Sequence, residues 1–137
     1  MQVVLVFKRE ILGFGFESNE KDLIQNSSFM RKRLGQWIRK NRIQTLCFVE
    51  RIEKIEGSYI GFIGFAPREY LKFGNELEAD EFGTGKYLKI DYSPLSGGKS
   101  KIRTFMKENN IRTDGSKIYV SEKPDFSKGS LYLRIMN

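Results

Sequence analysis

Histidine is missing from this 137-residue chain altogether, and cysteine occurs once. The first absence removes the commonest metal ligand, the usual general base of neutral pH and every Ser-His-Asp triad. The second removes an intramolecular disulfide and any multi-cysteine metal site. Nothing in the remaining residues calls for a cofactor or a metal. An enzyme here would have to work with carboxylates, Tyr, Lys or the single thiol, so the chain reads more readily as a binder than as a catalyst. No apolar run approaches the ~20 residues needed to span a bilayer. The opening MQVVLVFKRE lacks a basic leading region and a small-residue cleavage site, so it reads as a strand and not as a signal peptide, and the expected location is the cytoplasm.

What is present is enough for a core. Hydrophobic residues make up 39% and aromatic residues 13%, with eleven Phe and six Tyr. One domain is expected at this length. The net charge of +7 is evenly spread, with 12 Lys and Arg against 8 acids in residues 1–70 and 12 against 9 in residues 71–137. An even excess describes a solvated surface better than the basic stripe that a dedicated nucleic-acid face needs.

Along the chain, Val3 to Phe16 reads as one strand bent near Gly13 and Gly15. Ser18-Asn19 offers a helix cap, and Leu23, Met30, Leu34 and Trp37 then recur at helical spacing, with Ser27 small on the same face. Thr45–Ile52 and Ser58–Ala66 alternate as strands and meet in a hairpin at Glu56-Gly57. Residues 67–84 read as an irregular acidic linker. A second half follows: strand 86–92, helix 97–109 ended by Asn109-Asn110, strand 117–121 and strand 130–136. Both halves thus have the order β-α-β-β, about 1–66 and 85–137. The predicted fold is α+β, two such units in a pseudo-twofold arrangement, with one antiparallel sheet and both helices on the same side.

Two glycine motifs fail. Ser96-Gly97-Gly98-Lys99-Ser100 lies between strand and helix, but the upstream Gly of a phosphate loop is absent, which leaves at most a weak anion site at the helix start. Gly13-Phe14-Gly15 has no third Gly and is not a dinucleotide fingerprint. The basic runs Arg31-Lys32-Arg33 and Arg39-Lys40-Asn41-Arg42 fall on the first helix. They read as its solvated face, with contact to nucleic acid or to a nucleic-acid-associated protein as the alternative. Cys47 reads as a buried, inert thiol.

Glu50 is the most informative carboxylate, because alternation puts it on one strand face with Leu46, Phe48 and Ile52. Such a group can bind a cation or serve as acid or base; the structural alternative is an ion pair at a fraying strand end. Trp37 serves either as core or as a ligand platform. Tyr87, Tyr119 and Tyr132 lie opposite Leu88, Ile118 and Leu131 on their strands, which suggests a phenol-lined groove or simply a packed second face. The ligand-binding set is therefore Trp37, Phe48, Glu50, Tyr87, Tyr119 and Tyr132.

The second half resembles the GyrI-like family, which includes the effector-binding domains of multidrug-responsive regulators. The matching residues are Gly85-Lys86-Tyr87-Leu88-Lys89-Ile90, a helix, Asn110-Ile111, Gly115, Ile118-Tyr119-Val120 and a short last strand. The resemblance implies the paired β-α-β-β fold and a cavity lined by aromatics around a buried carboxylate, which takes apolar or lipophilic drug-like molecules. It also implies a hydrolase as a further alternative, which would use Glu50 and a Tyr here. Lys117 stands where the family commonly has an acid, so cation binding at that position is not expected. A regulator built this way would need a DNA-binding partner chain. Oligomeric state is not legible.

Overall fold

In the computed structural model, which describes residues 1–69, 76–92 and 99–136, eight strands and two helices follow one another. The strands are β1 (Gln2–Val6), β2 (Arg9–Ser18), β3 (Thr45–Ile55), β4 (Ser58–Pro67), β5 (Glu78–Phe82), β6 (Gly85–Tyr92), β7 (Lys117–Ser121) and β8 (Gly129–Arg134). The helices are α1 (Leu23–Asn41) and α2 (Lys99–Glu108). All strand pairs are antiparallel, in one sheet of order β1-β6-β8-β7-β3-β4-β2-β5. The expected α+β class is the one observed.

Turn chemistry closes the elements where the sequence predicts. Glu56 and Gly57 have φ of 49° and 83°, as a two-residue hairpin with a right-handed strand twist requires. Asn110 takes φ 53° just beyond α2, and Arg42 is the left-handed cap of α1. The start of α1 differs from the expected Ser18-Asn19 cap. The helix begins at Leu23, and the Asn19 side chain accepts the Asp22 amide at 2.7 Å one turn earlier. The Ser96-Gly97-Gly98 motif lies outside the described residues.

Two expectations are corrected. Val3–Phe16 is not one bent strand; the chain leaves the sheet at Phe7-Lys8, and β1 and β2 end up on opposite halves, against β6 and β4. Glu78–Phe82, read as irregular on their acidity, form the edge strand β5 on β2. Charge on an edge strand is compatible with pairing on one side and discourages pairing on the other.

Register then sorts the side chains. On one face, Leu12, Phe14, Phe48, Ile63 and Phe65 pack under Met30 and Leu34 of α1. Ile102 of α2 stands beside Ile90, Tyr92, Tyr119 and Leu131 on the same face of the second half. Both helices therefore cover one side. The other face gathers Ile11, Cys47, Val49, Phe62, Phe82, Tyr87 and Ile118. It closes on itself because the sheet curls. β5 and β8 are five strand spacings apart, about 24 Å in a flat sheet. Yet the Phe82 and Tyr132 rings meet at 5.2 Å. Arg51 on β3 also reaches Asp80 on β5 across the two intervening strands.

Candidate functional site

Glu50 sits in the middle of β3, not at a fraying end, and its side chain is 0% exposed. Arg31 of α1 supplies the counter-charge: its Nε donates to Glu50 Oε2 at 2.9 Å, and an Nη forms an ion pair with the same oxygen. The guanidinium also lies over the Phe126 ring, 4.9 Å from its centroid. Glu50 Oε1 is buried and has no hydrogen-bond partner among the described residues, and Ser27 Oγ, one helical turn before Arg31, is in the same position.

Directly across the ladder from Glu50 is Tyr119. Its ring meets that of Tyr92 edge-on at 5.7 Å, and the Tyr92 hydroxyl donates to the Phe126 carbonyl at 3.2 Å. Beyond these two rings opens a cavity of about 420 Å³, walled by Tyr92, Tyr119, Ile90, Leu131 and Ile102, with Lys89, Asp91 and Lys101 as its charged lining. Aromatic and aliphatic walls with a few convergent polar groups describe a small-molecule site.

Burial raises both phenols. For Tyr119 desolvation is the main cause, with the Glu50 charge adding to it and Arg31 opposing. For Tyr92 desolvation again leads, opposed first by Arg31 and reinforced by Glu50. Tyr87 is raised as well, chiefly by burial. A raised folded pKa means the folded state holds the proton longer, so this contribution to stability is complete below the ordinary value of 10.0 and is lost as pH rises above it. Alkaline titration followed at 295 nm should show phenols ionising late, together with loss of the native fold. Tyr119→Phe should remove one of the late group. Titration of every phenol near 10 in the folded protein would contradict this.

The structure splits the residues selected from sequence. Glu50 and Tyr119 come together, with Phe48 buried beside them under α1. Tyr87 and Tyr132 do not join them. Tyr119 pairs with Leu131, and Tyr132 with Ile118, so the register places Tyr132 and Tyr87 on the opposite face against Phe82. A single groove lined by the three phenols is therefore not formed. Trp37 stacks on Phe65 at 6.2 Å and donates to Glu76 at 2.6 Å, away from the Tyr119 cavity. Leu46, expected on the Glu50 face, is 51% exposed because the β3–β4 register shifts between Thr45 and Cys47.

Arg31, read from sequence as solvated, turns inward; its place four residues after Ser27 and three before Leu34, both on the apolar stripe, was the available signal. Arg33 likewise lies over the Phe14 ring at 4.1 Å. Two members of the basic run are thus occupied with the fold, which shrinks the free basic face of α1. Lys117 is exposed, opposite Ile52 at the far end of β7.

The protein is thus an antiparallel α+β sheet with two helices over one face and a buried carboxylate behind an aromatic-walled cavity. No family model matches the chain, and no curated protein matches it. Solved structures do share the fold. One is a protein from Staphylococcus aureus MU50 provisionally assigned to bacterial transcription regulation, with TM-score 0.63 and 11% identity over 99% of this chain and 97% of that one. A second is an integron cassette protein from the mobile metagenome of Vibrio cholerae, with TM-score 0.61 and 9% identity over 98% and 95% of the two chains. A third is SAV2435 bound to tetraphenylphosphonium, with TM-score 0.60 and 10% identity over 98% and 91%. At these identities the likeness is one of fold. No helix among the described residues is long and apolar enough to cross a membrane.

Proposed function

We propose that the chain binds a small apolar, aromatic or lipophilic molecule in the cavity between α2 and the sheet, as a member of the GyrI-like, effector-binding class and in the cytoplasm. The observation that carries this reading is the fully buried Glu50 carboxylate, with one oxygen held by Arg31 and the other unpartnered among the described residues, behind the Tyr92 and Tyr119 wall. A similar fold that binds tetraphenylphosphonium supports it. The wall supplies area and aromatic faces, worth roughly 0.5–2 kcal/mol per cation–π contact. The carboxylate adds a preference for positive charge through its unpartnered oxygen, reduced here because Arg31 balances its charge.

Calorimetric titration with tetraphenylphosphonium and with neutral triphenylphosphine oxide tests the reading. Both should bind wild type. Tyr119→Ala should weaken both, and Glu50→Gln should weaken the cation several-fold while leaving the neutral molecule unchanged. Absence of saturable binding by either, or indifference to Tyr119→Ala, would remove the cavity from consideration. Equal losses on Glu50→Gln would remove Glu50 from the site and leave an apolar pocket without charge preference.

A further inference from the structure

The face away from the helices holds a second cavity, of about 340 Å³, near the chain segment that joins β1 to β2. Its wall is apolar: Val6, Val49, Phe82, Val120 and Tyr132. The curl of the sheet makes it, because β1 and β5, at the two ends of the strand order, are brought towards each other across Val49 and Val120. At this size it falls at the small end of the range for ligand pockets.

Arg9 lines the same cavity, projecting from β2 on the Phe82 side of the ladder. Its guanidinium touches only a weak acceptor there, the Cys47 sulfur, at 3.7 Å. Among the described residues no carboxylate lies within ion-pair distance of it. Glu10, next to Arg9 in the chain, alternates onto the other face of β2, and Glu81 across the ladder is taken by Lys8 at 3.1 Å. The result is an apolar hollow with one uncompensated, planar cation at its mouth, the donor geometry that matches a carboxylate bidentately.

We propose that this cavity binds a monocarboxylate with a short apolar tail, an alkyl or aryl acid. The tail would lie along Val49, Val120 and Phe82, and the carboxylate would accept from Arg9. The site is separate from the Glu50 cavity, which opens on the other face of the sheet. Its charge preference is also the opposite one, so the two readings stand or fall independently.

The test is calorimetric titration with hexanoate, octanoate and decanoate, with 1-octanol as the uncharged control. Each methylene added should strengthen binding about fourfold until the cavity is full. Octanol should bind more weakly than octanoate. Arg9→Gln should lower octanoate affinity about tenfold, as loss of a charge-assisted bidentate contact does, and leave octanol unchanged. Arg9→Lys should recover part of the loss. Arg9 is exposed, so these variants should fold as wild type does, which the fluorescence of Trp37 checks. Octanoate should also slow alkylation of Cys47 and should not compete with tetraphenylphosphonium. The proposal is overturned if octanoate shows no saturable binding, if Arg9→Gln leaves its affinity unchanged, or if octanoate and octanol bind alike.

Discussion

Replacing Arg31 by methionine should destabilise the protein by about 3–5 kcal/mol, because it strands a buried carboxylate. The Glu50 side chain has no exposure to solvent, and both of its hydrogen bonds come from that guanidinium, to one oxygen. Methionine fills similar space over Phe126 but brings neither charge nor donor. The double variant Arg31→Met, Glu50→Gln should regain most of the loss, since neither charge is then buried. Urea midpoints of wild type, the two single variants and the double variant measure this directly. A variant of Arg31 as stable as wild type at pH 7 would show that the ion pair contributes nothing, as many exposed pairs do.

Phe65→Ala should cost a similar ~3–5 kcal/mol, by a different mechanism. Phe65 is 0% exposed and stands at the centre of the core under α1, with Trp37 stacked on it at 6.2 Å. Removing the ring leaves a cavity that α1 and the rigid β4 backbone cannot collapse into, so the cost exceeds transfer alone. Trp37 is the only tryptophan, which makes the effect readable twice. The denaturation midpoint should fall, and the native emission of Trp37 should shift to the red as water reaches the indole. Unlike Arg31→Met, this variant should gain nothing from Glu50→Gln. A midpoint within experimental error of wild type would mean that Trp37 and Phe65 are not packed as described.

The two variants separate the kinds of force that hold α1 in place. Its Met30, Leu34 and Trp37 side chains act through buried area, and its Arg31 through one charge pair. In the proposed ligand-binding reading only the second would bear on selectivity, by setting how much of the Glu50 charge a bound molecule could feel.

Much of this protein was legible in its amino-acid order because period and punctuation are local. Leu88, Ile90 and Tyr92 alternate as a strand does; Leu23, Met30 and Leu34 recur as a helix does; Glu56-Gly57 and Asn110 supply left-handed turns. Glu50 stood out for the same reason, as a charge placed on an apolar alternation. What tertiary structure alone decided is which strands lie side by side and in what register. A shift of one residue exchanges the two faces of a strand, so nothing within β7 or β8 says that Tyr119 looks at Glu50 while Tyr132 looks at Phe82. The partner of Glu50 was hidden likewise, because Arg31 reaches it from a helix nineteen positions away in the chain. The placement of β1 against β6, and of the acidic β5 on β2, rests on sheet edges that only the assembled fold possesses. The curl that brings Phe82 onto Tyr132 is a property of eight strands together, and of no one of them.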